Sequence, residues 1–411
     1  MINIFILILI LSTLGEFVPL PLMEINQLVI IILIPIIIIK AKGRNAYFPN
    51  NLMFLIVIFL WVYIILQGTL MAYSYIDLVK VMKNYSLSFI FIMMVISLNW
   101  DEYKIILSRY TIFCNLFFTF EFLLGYFKLN TIYNLFFIPP YDQLRHMANF
   151  LSPNSYGILL TLLIISNIYL FFQNKKVTNI IFSIVLILPI ISTVSKSTII
   201  LLLIGIVTFL FVKFKIAMKF VIITCLFVGL YYIMSDKILI LLSKYASSYF
   251  VRRFILYFES GNLFGDRANE YNTIFNLYKD SWFTGLGFGN ISGNNQLYSG
   301  MDSMHNEYLR FFIEGGIVGG ILFSIIIVLL VYLIIKIISN RKIDSNDKAL
   351  AVTFTIMFLI AEMQYNFFNA HREGIILIFF GFISIVLFKS QNHSEKLQSS
   401  NDDRTTESKY K

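Results

Sequence analysis

One histidine, His305, lies in the polar stretch MDSMHNEYLR, between a glycine-rich segment and a long apolar run. Asp302 or Ser303 is a good N-cap and apolar residues follow at helical spacing, so the sequence predicts a helix whose first turn holds His305. The positive end of a helix dipole disfavours imidazolium, and a neutral imidazole can act as a general base. The alternative is an interfacial histidine that hydrogen-bonds a loop carbonyl.

Three basic residues accompany this histidine: Arg145 in YDQLRHMANF, Lys196 in STVSKSTI and Arg267 in GDRANEY. Two of them have ordinary alternative roles, because Lys196 can snorkel to the membrane interface and Arg267 can pair with a neighbouring carboxylate. Together, several cations and one base suit a ligand whose phosphate or pyrophosphate head is held at a membrane surface. No Cys/His or Asp/Glu set in the sequence has the spacing of a zinc or magnesium site, so we expect no metal and no cofactor.

Two groups of glycines flank His305. The sequence GLGFGN (285–290) has neither a preceding strand nor a following phosphate-binding lysine, so it predicts a turn at which the backbone passes close to another segment. Gly315, Gly316, Gly319 and Gly320 repeat at i, i+4, the small-residue pattern by which membrane helices approach closely. We therefore assign the second group to helix packing rather than to phosphate binding.

The elements that must position these residues are membrane helices. Of the 411 residues, 58% are hydrophobic and 13% charged, whereas soluble domains carry about 25% charged residues. Apolar runs of about 18 or more residues recur along the chain, and they do not alternate as barrel strands do. The sequence predicts an all-α, polytopic integral membrane protein with about twelve spans. They lie near 2–18, 25–40, 50–70, 76–98, 104–126, 153–173, 177–194, 196–212, 216–234, 306–337, 349–368 and 372–389.

Lysine and arginine clusters predict the orientation of these spans. KAKGR (40–44), NKK (174–176), KFKIAMK (213–219) and KIISNRKIDSNDK (336–348) fall on one side if the spans alternate. The positive-inside rule makes that side, and with it both termini, cytoplasmic. The net charge of +9 is explained by these loops, so we expect no nucleic-acid partner.

The predicted organisation has four parts. Residues 1–234 hold spans one to nine, 235–305 form a large extracytoplasmic loop, 306–390 hold the last three spans, and 391–411 form a disordered cytoplasmic tail. We expect the first apolar run to be a retained helix rather than a signal peptide. Cys114 and Cys225 both lie in apolar segments, so a disulfide framework is not expected.

A family resemblance rests on five segments: RHMANFLSPNSYG, STVSKS, GDRANEY, GLGFGN and HNEYLRFFIEGGIVGG. Over most of residues 140–330 the chain resembles the bacterial O-antigen ligases and the O-antigen and capsule repeat-unit polymerases, which have a C-type glycosyltransferase-like architecture. The resemblance implies a plasma-membrane polymerase that joins undecaprenyl-pyrophosphate-linked oligosaccharide repeat units on the outer face, inverting and without a metal. It also implies a flippase and chain-length regulator proteins as partners.

The same resemblance implies roles for the four candidate residues. His305 accepts the proton of an acceptor hydroxyl, while Arg267, with Lys196 and Arg145, stabilises the departing lipid pyrophosphate. The family commonly has arginine at the position of Lys196, and lysine keeps the charge without the bidentate fork. Alternatives from the same and other classes stay open: a glycan ligase, a flippase for lipid-linked oligosaccharides, or a solute transporter, although no convincing repeat of the transporter kind is visible.

Overall fold

The computed structural model describes residues 2–14, 51–71, 75–127, 153–193, 195–214, 276, 279–290, 306–363 and 373–391. Within these ranges the regular structure is helical throughout and contains no strand, so the all-α prediction is confirmed for the described residues. Five helices in them are long and apolar enough to cross a membrane. These are Trp100–Leu124, Asn154–Asn174, Ser197–Phe214, Glu307–Ser339 and Gly374–Gln391.

Ten helices in the described residues coincide with predicted spans. They are α1 (Ile2–Leu14), α2 (Asn51–Met71), α3 (Tyr75–Ser97), α4 (Trp100–Tyr126), α5 (Pro153–Asn174), α6 (Val177–Ser192), α7 (Lys196–Phe214), α8 (Glu307–Ser339), α9 (Ser345–Glu362) and α10 (Glu373–Gly381). The predicted spans 25–40 and 216–234 lie outside the described residues, as do most of the predicted loop 235–305 and the tail 392–411. The number of spans and the loop therefore stay predictions.

Local sequence explains where several helices begin. Proline is favoured at a first helical position because its missing amide is not needed there, and α5 begins at Pro153. Ser195 precedes α7, and its hydroxyl accepts the backbone amide of Thr198. Asp344 precedes α9, and its carboxylate accepts the amides of Asn346 and Asp347.

The start of α8 corrects one prediction. Asn306 is extended (φ −154°, ψ 107°), and its side-chain oxygen accepts the backbone amide of Leu309 at 3.1 Å. The N-cap is therefore Asn306, and the prediction of Asp302 or Ser303 as the cap is wrong. Because the helix begins at Glu307, His305 precedes the cap and is not in the first turn.

The described parts of the predicted basic loops meet at one end of the bundle. Near 174–176 and 336–348, the carboxylate of Asp347 accepts hydrogen bonds from Tyr169 at 2.8 Å, Gln173 at 3.1 Å and Trp100 at 2.6 Å. The ammonium of Lys213 donates to Asn346 at 2.5 Å, which brings the end of α7 to the same place. We call this the basic end, and its cytoplasmic location stays a prediction.

The helix directions follow from these contacts. Since α5 and α7 finish at the basic end and α9 begins there, Pro153, Lys196 and Glu362 lie toward the opposite end. The C-terminal part of α8 also reaches the basic end, where the Lys348 ammonium donates to the carbonyl of Asn340 at 2.8 Å. The starts of α5, α7 and α8 therefore share the end opposite the basic loops, as the alternation of spans predicts.

Candidate functional site

Most predicted site residues fall outside the described part of the chain. Arg145, Arg267 and His305 belong to the ranges 128–152, 215–275 and 291–305, which are not described. Lys196 is described by its backbone alone, as the first residue of α7. The structure does describe what lies on both sides of 291–305: residues 279–290, here called the glycine turn, and the start of α8.

The glycine turn lies directly against α8, where that helix is interrupted. Gly316 leaves helical conformation (φ 62°, ψ −166°), and Gly285 in the turn also has a positive φ of 75°. A Cβ at Gly285 would collide with the carbonyl oxygen of Glu314 and the amide of Gly316. Glycine at both positions thus permits the left-handed backbone and the close approach of two main chains. The predicted role of GLGFGN as a close-passing turn is confirmed.

Backbone hydrogen bonds join the turn to the interrupted helix. They run from Leu286 N to Ile313 O (2.8 Å), from Gly287 N to Glu314 O (2.9 Å) and from Ile317 N to Trp282 O (3.1 Å). In a continuous helix the carbonyls of Ile313 and Glu314 would accept amides from the following turn. The interruption at Gly316 frees these groups, and the glycine turn satisfies them instead.

Helix α2 also holds the glycine turn and α8 together. The buried amide of Gln67 donates to the carbonyl oxygens of Thr284 at 2.9 Å and Glu314 at 2.8 Å. The Gln67 side-chain oxygen accepts the backbone amide of Phe288 at 3.1 Å. The hydroxyl of Tyr63 donates to the carbonyl of Gly315 at 2.5 Å. A Cβ at Gly319 would lie 3.2 Å from the Tyr63 ring, so the predicted close packing at the α8 glycines is also confirmed.

The two residues that border 291–305 are both anchored. The Asn290 amide donates to the carbonyls of Met71 and Leu286, each at 2.7 Å. Asn306 caps α8 through the amide of Leu309. The chain segment that contains His305 therefore starts and ends at positions fixed by the packed helices.

A buried charged cluster lies in the first two turns of α8. The Arg310 guanidinium binds the carboxylate of Glu314, with Nε 2.8 Å from Oε2, and both side chains are almost fully buried. The hydroxyl of Tyr85 on α3 donates to Oε1 of Glu307 at 3.0 Å. The Arg310 guanidinium also lies 5.7 Å from the centre of the Tyr85 ring, within cation–π range.

This cluster is not among the residues predicted from the sequence. A signal was present, because Glu307, Arg310 and Glu314 are charged residues within one apolar span, and ionisable residues inside a membrane mark functional sites by default. Their spacing also predicts the Arg310–Glu314 pair, since residues four apart are neighbours on a helix surface. The cluster follows His305 directly in sequence, and its side chains are buried in the bundle.

The described elements define a class of protein: an α-helical membrane protein with a polar site built at the end of the bundle opposite the basic loops. Residues 181–324 match the family model described as O-antigen ligase. The matched range includes Lys196, Arg267, the glycine turn and His305, and the predicted resemblance to the O-antigen ligase and polymerase superfamily is confirmed. A search among curated proteins finds no match to the chain.

Proposed function

We propose that the protein is a polymerase that joins undecaprenyl-pyrophosphate-linked oligosaccharide repeat units into a capsule or O-antigen polysaccharide. The reaction takes place on the outer face of a bacterial plasma membrane, inverts the anomeric configuration and uses no metal. The family match supports a role of the O-antigen ligase or polymerase type. The observation that carries the proposal furthest is that Asn290 and Asn306, on either side of 291–305, are both anchored, because a general base must be held within hydrogen-bond reach of its substrate.

The proposed reaction is a single displacement. The oxygen of an acceptor sugar hydroxyl attacks the anomeric carbon of the donor, and the bond from that carbon to the pyrophosphate oxygen breaks. His305 accepts the hydroxyl proton, and the bonding electrons leave with the lipid pyrophosphate. Arg267, with Lys196 and Arg145, stabilises the negative charge that develops on the leaving oxygen, because fixed cations act strongly in a water-poor site.

The directions of the helices support a common location for these groups. Lys196 is the first residue of α7, and α7 finishes at the basic end. Arg145 precedes Pro153 by eight residues, and α5 also runs from Pro153 to the basic end. His305 precedes α8, which runs the same way. The helices that follow these three predicted residues in sequence thus start at one end of the bundle, which supports a shared site there.

A ligase of the same superfamily is the second candidate, because the matching family model is described as O-antigen ligase. A ligase would use the same base and cations to transfer a finished glycan onto a different acceptor. The two functions differ in the species that accumulates when the site is disabled.

The experiment compares His305→Gln with a matched control, His393→Gln in the predicted tail. Cells that make the native polysaccharide receive each variant in place of the wild-type protein, and lipid-linked saccharides and polymer are separated by size. Glutamine keeps hydrogen bonding but is a far poorer base, and loss of a general base costs a factor of about 100 to 10,000 in rate. We expect His305→Gln to abolish long polymer and to accumulate single lipid-linked repeat units in the outer leaflet, with no change for His393→Gln.

Other outcomes identify the alternatives. Long polymer retained on its lipid carrier would indicate a ligase, and repeat units trapped in the inner leaflet would indicate a flippase. Near-normal polymer from His305→Gln would remove the base role. Membrane insertion and the amount of each variant are measured by immunoblotting, so that loss of protein is not mistaken for loss of activity.

A further inference from the structure

The last residue of α9, Glu362, lies in an environment that is unfavourable for an ionised carboxylate without a hydrogen-bond donor or a cation. Its side chain is fully buried, and neither of its oxygens has a hydrogen-bond partner in the described structure. In the part of the chain that the structure describes, the charged group that acts on it is another carboxyl group, that of Glu307 in the first turn of α8. A buried, ionised carboxylate without a cation or a donor costs several kcal/mol or more, so Glu362 needs a partner that the side-chain contacts do not supply.

Glu307 is only half satisfied. Its Oε1 accepts the Tyr85 hydroxyl at 3.0 Å, whereas Oε2 is buried and has no hydrogen-bond partner in the described residues. The nearby cation, Arg310, is bound at 2.8 Å by Glu314. In the described residues Arg310 is the cation beside Glu307 and Glu314. The three buried carboxyl groups therefore carry two negative charges in excess of it if all three ionise.

Helices α8 and α9, which carry the two carboxyl groups, are joined by a hydrogen bond close to both groups. The hydroxyl of Tyr308, next to Glu307, donates to the carbonyl of Leu359 at 2.9 Å. Leu359 lies one turn before Glu362 on α9, so this bond brings the end of α9 against the first turn of α8. Each carboxyl group thus lies next to the point at which α8 and α9 are in contact.

We propose that Glu307 and Glu362 form a proton-binding site, in which a protonated Glu362 donates its O–H to Oε2 of Glu307. One proton satisfies the open acceptor of Glu307, provides Glu362 with its partner and removes one of the two excess charges. The groups that face the pair in the described residues are Tyr85 from α3 and Arg310, Glu314 and Tyr308 from α8. Of these, Arg310 stays charged at every accessible pH.

The test is infrared spectroscopy of the purified full-length protein in lipid nanodiscs, titrated from acidic to alkaline pH. Wild type is compared with Glu362→Gln and with Asp101→Asn, a control at an exposed carboxylate near the basic end. We expect a protonated-carboxyl stretching band in wild type at neutral pH that disappears reversibly on alkalinisation. The band should be absent from Glu362→Gln and unchanged in Asp101→Asn.

Two infrared outcomes would overturn the proposal. One is a neutral-pH spectrum with no protonated-carboxyl band, or with a band that survives in Glu362→Gln. The other is a band that appears only after chelation and is removed again by magnesium, calcium or sodium, which would make the pair a metal-ion site.

A second measurement does not depend on the infrared assignment. Glutamine at 362 is neutral at every pH and keeps an N–H donor for Glu307, so Glu362→Gln should keep its thermal stability as the pH rises. Wild type should lose stability over the same range, because two facing carboxylates remain once the proton leaves. An equal alkaline loss in wild type and Glu362→Gln would count against the pair. Neither measurement uses glycan transfer, so the proton site and the polymerase proposal stand or fail separately.

Discussion

A single methyl group added at Gly285 tests how the glycine turn holds the site. In Gly285→Ala the new Cβ would collide with the main chain of α8, at the Glu314 carbonyl oxygen and the Gly316 amide. Backbone atoms of two packed segments cannot move aside as a flexible side chain can. The turn must therefore separate from α8, and the bonds from Leu286 N and Gly287 N to that helix should break.

Gly289→Ala provides the matched control. Gly289 also has a positive φ, so both alanines cost about 1–2 kcal/mol for the left-handed backbone. At Gly289, however, the nearest atom to a Cβ is a Val81 methyl at 3.4 Å, which is an ordinary contact. The strain cancels in the comparison, which leaves two amides, those of Leu286 and Gly287, without their acceptors. At about 1–3 kcal/mol for each buried group left unsatisfied, Gly285→Ala should be less stable than Gly289→Ala by about 2–6 kcal/mol.

Thermal unfolding of both variants in nanodiscs and polymer length in cells give the two readouts. Gly285→Ala should melt clearly below Gly289→Ala and should fail to make long polymer, because 291–305 loses the anchor at its N-terminal end. Equal melting temperatures, or full polymer from Gly285→Ala, would show that the contact with α8 does not hold the site together.

Three further predictions concern charge, topology and metal. Arg310→Ala leaves Glu314 buried without its cation and should lower stability by about 3–5 kcal/mol, whereas the double change Arg310→Met with Glu314→Met should recover most of it in the same melting assay. In a variant without native cysteines, Ser292→Cys should react with an impermeant maleimide in intact cells and Ser345→Cys should not; the reverse pattern would invert the topology. Transfer by the purified protein should survive excess EDTA, and a loss restored by magnesium or manganese would contradict the metal-free reaction.

Features that depend only on residues close together in the chain could be predicted from the sequence. The apolar runs predict twelve spans, and ten of them coincide with helices in the described residues. These could be predicted because a membrane helix satisfies the hydrogen bonds of its backbone within one segment. Pro153 marks a helix start by its missing amide. The grouping of the described basic loops at one end follows from alternating spans, and their charge is visible without any tertiary contact.

The residue at which α8 begins could not be predicted from the sequence. Asp302, Ser303 and Asn306 are all capable caps, and local propensity does not choose among them. The structure has Asn306 as the cap. Since the first turn of α8 is joined to α3 through the Tyr85–Glu307 bond, we attribute the choice to tertiary packing rather than to the cap residues themselves.

The polar site itself depends on partners that are far apart in sequence. Gln67 reaches a turn more than 200 residues later, and Glu307 on another helix acts electrostatically on Glu362. The sequence shows that each of these side chains is polar in an apolar span, which predicts that it needs a partner. It does not show which partner, because every helix carries backbone carbonyls and many helices carry polar side chains that could serve. Only the packing of α2, α3 and α9 against α8 determines which groups meet, since a hydrogen bond forms within about 3 Å and chain separation does not report that distance.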